Sequence, residues 1–295
     1  MELVDFCRAH GIIIDAPPPI GVWKRYATED HPRSKNGAVK YLGTHAFVQN
    51  HAMDASISVW KPESIANHDR IKYESMAKRE SEKQLIDARL ASEKAAFIIK
   101  NSQLAKHDYL KAKGFVDESG YVWASPDGHM LVVPMRIDGR LVGVQLIDKH
   151  GSKKFLYGQK SSGAEFIFDN KGEHLFCEGY ATALSVRLAL KSVKIRYTIH
   201  VCFSANNLLK LTQKYKGGFV IADNDESLTG ENVAKRSLLP YWISPVLGED
   251  GNDFHQRTGL FKFSQELTKL ISSISHNSKL SPPVIFSLSK STSPL

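Results

Sequence analysis

A chain of 295 residues can bury a sizeable core and divide into more than one domain, and 42% hydrophobic with 24% charged residues excludes wholesale disorder. The formal net charge of +8 favours a polyanionic partner such as nucleic acid. Three cysteines far apart in the chain, Cys7, Cys177 and Cys202, exclude a disulfide framework and a Cys-x-x-Cys zinc module. No apolar run approaches the roughly 18 residues of a membrane span, and Met1-Glu2-Leu3-Val4-Asp5 lacks the features of a signal peptide, so a cytoplasmic protein without a membrane partner is expected.

Residues 1–62 read as a small module rich in aromatic and basic residues: Trp23, Lys24, Arg25, Tyr26, Arg33, Lys35, Lys40, Tyr41 and Trp60. Pro17 to Pro19 stops any helix begun at Leu3, and Lys35-Asn36-Gly37 is a turn signal before a strand. Two readings stand for the aromatics: stacking partners for bases with phosphate-holding cations between them, or the core of a β-rich module. Residues 63–104 are dense in Lys, Arg, Glu and Ala without Gly or internal Pro from Ser64 to Gln103, which predicts a long linking helix whose first half is solvated.

A short helix from His107 to Lys113, stopped by Gly114, opens a β-rich stretch over 105–170. Strands are predicted at Tyr121–Ala124, Met130–Met135, Leu141–Ile147 and Lys153–Tyr157. Ser-Pro-Asp-Gly, Asp-Gly and Lys-His-Gly turns separate them, so they form an antiparallel meander. Arg136, Arg140, Lys149, Lys153, Lys154 and Lys160 give this stretch its positive charge, either as phosphate contacts or as the solvated edge of hairpins.

Over 171–260 short apolar runs alternate with helical segments: Leu175–Cys177, Tyr180–Leu190, Ile199–Phe203, Asn206–Tyr215, Gly218–Ala222, Gly230–Leu239 and Trp242–Val246. That order predicts an α/β fold with a mainly parallel sheet, in which ligands collect at the carboxyl ends of the strands. Glu178, Asp223 and Asp225 lie at such ends. If the first and third strands are neighbours, their carboxylates converge on one small volume and repel one another unless cations neutralise them. Hard divalent ions with oxygen ligands are their natural partners. Asp223 and Asp225, two apart on an extended segment, would face the same way; an Asx-turn opening the next helix is the other reading. Gly248-Glu249-Asp250-Gly251-Asn252-Asp253 reads as an acidic turn. A last amphipathic helix is predicted at Phe261–Ile274, followed by a Ser- and Pro-rich tail, over 261–295.

A strand ending in Glu178-Gly179, a later strand ending in Asp223-Asn224-Asp225 and a closing Gly251-Asn252-Asp253-Phe254-His255 together resemble the Toprim domain shared by bacterial-type primases, topoisomerases and certain nucleases. Glu178-Gly179-Tyr180-Ala181-Thr182-Ala183-Leu184-Ser185 is most similar to the Toprim primases of phages and conjugative plasmids. The resemblance covers about 105–260 and rests on three motifs in order. It implies a Rossmann-like Toprim domain preceded by a template-binding β-rich subdomain that holds the six basic residues named above. It also implies catalysis by Glu178, Asp223 and Asp225, with Mg²⁺ (or Mn²⁺) held by these three together with Asp250 and Asp253. The expected activity is DNA-primase nucleotidyl transfer, making short primers from nucleoside triphosphates on single-stranded DNA, with a separate replicative helicase as a further partner. No Gly-x-x-x-x-Gly-Lys-Ser/Thr segment is present for a motor within this chain. A Toprim nuclease or topoisomerase-like enzyme, or a non-catalytic single-strand-binding protein, stands as the alternative.

Overall fold

The computed structural model describes residues 1–51, 57–215 and 217–277. They form two compact units, Met1–Leu90 and Ala91–Leu295. Of the Ser- and Pro-rich tail expected from Ser275, residues 275–277 continue the last helix, and 278–295 lie outside the described residues.

The first unit begins with helix α1 (Leu3–Ala9), which buries Leu3 and Cys7, one turn apart on one face. It ends before Gly11, whose φ of 68° breaks the helical path well ahead of the prolines. Strands β1 (Trp23–Tyr26), β2 (Gly37–Tyr41), β3 (Ala46–Asn50) and β4 (Ile57–Trp60) follow as an antiparallel sheet in chain order. Side chains alternate across it: Ala46, Val48 and Asn50 are buried, Phe47 and Gln49 half-buried. The buried face, with Val39, Val48 and Trp60, closes on Leu3, Cys7 and Ile12. The aromatics therefore divide. Trp60, whose indole donates to Met1 O at 2.8 Å, Tyr26 and Tyr41 belong to the core, whereas Trp23 points outward, 44% exposed.

Helix α2 (Asn67–Lys100) replaces the predicted 64–103 segment. Its buried residues, Ala91, Ala95 and Ile98, come only in its last turns, where the sequence turns from Lys/Glu to Ala/Ile and an apolar face at i, i+4 and i+7 becomes possible.

In the second unit these residues pack on Met130, Val132, Val144 and Leu146 of a five-stranded antiparallel meander. Its strands are β5 (Ser102–Ala105), β6 (Gly120–Ser125), β7 (Gly128–Ile137), β8 (Arg140–Ile147) and β9 (Lys153–Phe155), neighbours in that order. Helix α3 (Asp108–Ala112) lies between β5 and β6. Strand β5, absent from the sequence reading, takes over at Ser102 and Gln103, the end of the predicted helix. The β7–β8 hairpin turns on Asp138 and Gly139, both with positive φ, the two-residue turn that matches strand twist.

The second sheet has the order β10-β12-β11-β13-β14, from β10 (Phe166–Asp169), β11 (Glu173–Cys177), β12 (Tyr197–Val201), β13 (Phe219–Ala222) and β14 (Tyr241–Ile243). All pairs are parallel except β10–β12. The first and third predicted strands, β11 and β13, are direct neighbours, with Cys177 opposite Ile221. Helices α4 (Tyr180–Ser192), α5 (Ala205–Tyr215), α6 (Thr229–Ser237), α7 (Gly251–Thr258) and α8 (Leu260–Asn277) complete the unit. Alternate strand residues serve opposite faces. Leu175, Cys177, Ile199 and Ile221 pack with α4, α7 and α8, and Phe176, Val220 and Ala222 with α5 and α6, which is why the strands read as continuous apolar runs. The first of these cores continues through Leu110, Phe115, Leu131 and Ile147, so meander and parallel sheet share one interior.

Edge strand β10 has no counterpart among the predicted strands, and it is anchored by a buried polar network. Glu165, 4% exposed, receives His200 Nδ1 at 2.6 Å, Tyr215 Oη at 2.6 Å and Lys214 Nζ at 3.1 Å. His174 Nδ1 lies 2.8 Å from His200 Nε2. Burial pushes the Glu165 carboxyl upward, but the hydrogen bonds from His200 and Tyr215 outweigh it and hold the group below the usual carboxylate range.

Candidate active site

Glu178 and Asp223 each lie one or two residues beyond the paired ends of β11 and β13, on strands about 4.8 Å apart. Burial raises the Glu178 carboxyl, Lys153 opposes the rise, and Asp225 adds to it. Asp223 is pushed up to about 7, first by burial, then by the charges of Glu178 and Asp250, with Lys153 again opposing and Asp225 adding. Its Oδ1 is buried and has no hydrogen-bond partner. An unpartnered buried carboxylate oxygen is costly and marks a place where a cation or a proton is missing.

Asp225 behaves differently from its expected pairing with Asp223. The extended backbone ends at Ala222, and Asp225 Oδ1 accepts from Ser227 N at 2.8 Å and from the Ser227 hydroxyl, while Oδ2 accepts from Gly230 N at 3.3 Å. It forms an Asx-turn leading into α6, and reaches Glu178 and Asp223 through its charge alone. Gly230 permits the tight return of the chain, because a Cβ there would stand 2.2 Å from Asp223 O.

Asp250 and Asp253 sit at the start of α7, a helix where the sequence suggested only a turn. Asp250 Oδ1 accepts from Asn252 N at 2.7 Å and Asp253 N at 2.9 Å, and Asp253 Oδ2 accepts from Asp250 N at 3.3 Å. This is a capping box. Asp253 Oδ1 also accepts from Lys113 Nζ at 3.2 Å. Asn252, fully buried, donates to Lys113 O and Ser185 Oγ, both at 3.0 Å, and His255 Nδ1 lies 3.0 Å from that hydroxyl. These contacts tie α3, α4 and α7 together, and single-residue patterning carried no signal for the part played by Lys113.

Between them lies a cleft of about 500 Å³ whose lining includes Lys113, Lys149, Lys153, Gly179, Thr182 and Asp250. Thr182 Oγ1 is a second buried oxygen without a partner. Gly179 is not required by the backbone conformation at its position. Its φ of −101° and ψ of 151° are open to any residue, and a Cβ would meet only Thr182 Oγ1, at 3.9 Å. Its lack of a side chain keeps the cleft floor open.

The basic residues separate. Lys149 and Lys153 line the cleft. Lys154, next along β9 and so on the opposite face, pairs with Asp127 at 3.7 Å. Arg136, which donates to Gly139 O at 3.0 Å, and Arg140 lie at the tip of the β7–β8 hairpin, a strand length of about 25 Å from Lys149. Lys160 is exposed in the loop after β9.

The donor set suits a hard divalent cation in chemistry: carboxylate oxygens, one of them unpartnered, and no sulfur at the cleft. As the side chains stand, no three His, Cys, Asp or Glu residues among those described are grouped closely enough to enclose an ion. No helix among the described residues is long and apolar enough to cross a membrane, and Cys7, Cys177 and Cys202 are free and buried.

The chain matches no protein-family model and no curated protein sequence. Among solved structures it is similar to a chain in the bacteriophage T7 lagging-strand DNA polymerase interacting with primase domains of two gp4 subunits bound to an RNA/DNA hybrid and dTTP. The TM-score is 0.40 and the identity 16%, over 58% of this chain and 87% of that one.

Proposed function

We propose that this chain is a Toprim primase-like nucleotidyltransferase that joins nucleoside triphosphates into short primers on single-stranded DNA. The observation that carries the reading is the buried, unpartnered Asp223 Oδ1 at a strand end adjoining that of Glu178, with Lys153, which lines the neighbouring cleft, close enough for its charge to act on both carboxyls. Glu178 and Asp223 would hold Mg²⁺ or Mn²⁺, with Asp225, Asp250 and Asp253 adding negative charge around them. A bound ion of this kind aligns the attacking hydroxyl with the triphosphate and stabilises the pyrophosphate leaving group.

The chain's own residues supply the rest. Lys149 and Lys153 bind phosphate oxygens, Lys113 holds Asp253, and the first turn of α4, which has no side-chain cap, offers backbone N–H groups to the same anion. Glu178, whose carboxyl burial makes more basic than an ordinary one, would be the group that accepts the proton of the 3′-hydroxyl.

The test is incubation of the full chain with single-stranded DNA, labelled nucleoside triphosphates and Mg²⁺. Short nucleotide-dependent products are expected, and Asp223→Asn should abolish them. Shortening of the template in place of extension would make the same carboxylates a nuclease site. Binding of the strand with neither reaction would reduce the chain to an accessory binder and overturn the proposal.

A further inference from the structure

In the first unit, the face of the four-stranded sheet opposite the core carries an unusual set of side chains. Register places Trp23 of β1 beside Lys40 of β2, Lys40 beside Phe47 of β3, and Phe47 beside Val59 of β4. Arg25, two residues along β1, shares the face with Trp23. Trp23 is 44% and Val59 48% exposed, Arg25 is exposed, and Lys40 and Phe47 are half-buried. The rings of Trp23 and Phe47, on the strands either side of Lys40, stand 6.4 Å apart between centroids and tilted by 31°. His45 extends the aromatic line, edge-on to Phe47 at 5.1 Å.

The core of this unit is complete without these residues, because Leu3, Cys7, Ile12, Val39, Val48 and Trp60 close it on the other face. An exposed Trp on a finished module is therefore not explained by folding. Charge selects among partners. The face holds Arg25 and Lys40, and no carboxylate lies on it in β1 to β4. The acids Glu2, Asp5, Asp15, Glu29, Asp30 and Glu63 lie on or beside α1 or in connecting segments, and Asp69, Glu74, Glu80, Glu82 and Asp87 lie on α2, with Glu80 packed at Gly21. An exposed indole beside a half-buried phenyl ring, with cations and no carboxylate among the strand residues of the face, is what a single strand requires: bases stack on the rings and phosphates meet the cations. A duplex hides the base faces that Trp23 and Phe47 would take, and an acidic protein surface would leave the rings without a matching partner.

We infer that this sheet face is a second, separate binding surface for single-stranded nucleic acid, with Trp23 the stacking residue and Arg25 and Lys40 the phosphate contacts. It does not rest on the reading of the carboxylate cleft, and it would hold even in a chain without catalytic activity.

The experiment uses the full chain carrying Lys149→Ala and Lys153→Ala, so that binding at the cleft is reduced, and a fluorescein-labelled oligothymidylate of about ten nucleotides. Fluorescence anisotropy should show salt-dependent binding, weaker for a duplex of the same length. Adding Trp23→Ala should weaken it roughly 5- to 100-fold, while Trp23→Phe, which keeps a ring, should stay within a few-fold. Arg25→Ala with Lys40→Ala should lower the slope of log affinity against log salt by about 1.4, near 0.7 for each phosphate left without its cation. Circular dichroism and urea midpoints verify that each variant is folded. If Trp23→Ala does not fold, the Arg25 and Lys40 pair and Trp23→Phe decide the matter alone. Unchanged affinity in folded Trp23→Ala, or an unchanged slope in the Arg25 and Lys40 pair, overturns the inference and leaves the face to a protein partner. Failure of primer synthesis would leave these measurements untouched.

Discussion

Asp223 combines a buried oxygen without a partner and a carboxyl pushed up to about 7, chiefly by burial and then by Glu178 and Asp250. In metal-free buffer this links folding to pH with a definite sign. Below about pH 4 both folded and unfolded chains hold the proton. Between about pH 4 and about 7 the folded chain keeps a proton that the unfolded chain has released, so stability falls as pH rises through that window. Above it the full penalty is present, on the order of a few kcal/mol. Asp223→Asn should therefore raise the urea midpoint at pH 8 and leave it near wild type at pH 4. Saturating Mg²⁺ should raise the wild-type midpoint at pH 8 by binding the folded state, and should move the variant little; equal shifts in both would place the ion elsewhere. Glu178 makes the complementary prediction for rate. Glu178→Gln keeps size but removes basicity, and single-turnover primer synthesis should slow by roughly 10²- to 10⁴-fold. A wild-type rate would reduce Glu178 to a strand end.

At the scale of elements, the apolar runs of β11, β12 and β13 and the helices between them were legible because both faces of the sheet are covered, so most strand residues are apolar. The turns of the meander were legible through Asp138-Gly139 and Lys149-His150-Gly151; in the latter, Asp148 Oδ1 accepts from His150 N and Ser152 N at 2.9 Å. Strand β10 was not, because it is a half-exposed edge held by Glu165, whose partners lie 35 to 50 residues away. Glu165→Ala should cost about 3–5 kcal/mol, as expected when a buried charged partner is removed, with hydrogen exchange accelerated first in β10. Helix α7 was hidden because Gly-Glu-Asp-Gly-Asn favours a turn locally, and the capping box and the packing of Gly251 override that preference. A Cβ at Gly251 would stand 2.9 Å from Thr182 Cγ2 and 3.3 Å from Ile221 Cγ2. Gly251→Ala should thus cost about 1–3 kcal/mol by overpacking, read as a lowered urea midpoint; an unchanged midpoint would mean that α7 can shift away from the sheet freely.

For the whole molecule, a net charge of +8 pointed to nucleic acid without saying where the charge acts. The sequence left the six basic residues of the meander together as phosphate contacts or as hairpin solvation, and strand geometry separates them. Lys149 and Lys153 line the carboxylate cleft, Lys154 turns to Asp127 on the other face, and Arg136 and Arg140 stand a strand length away at a hairpin tip. Alternation along β9 and the length of β8 are general properties of strands, so this division could have been read from the sequence once the register was known. Register was the missing quantity. The division predicts unequal contributions to the salt dependence of single-strand binding. Lys149→Ala with Lys153→Ala should lower the log-log slope by about 1.4, near 0.7 for each phosphate they neutralise. Lys154→Ala should leave it unchanged, and so should Arg136→Ala with Arg140→Ala. An equal decrease for the arginine pair would mean that the strand leaves the cleft and follows β8 to the tip of the hairpin. No decrease for the lysine pair would detach the cleft from nucleic acid altogether, and with it the assignment of Lys149 and Lys153 as phosphate ligands beside Glu178 and Asp223.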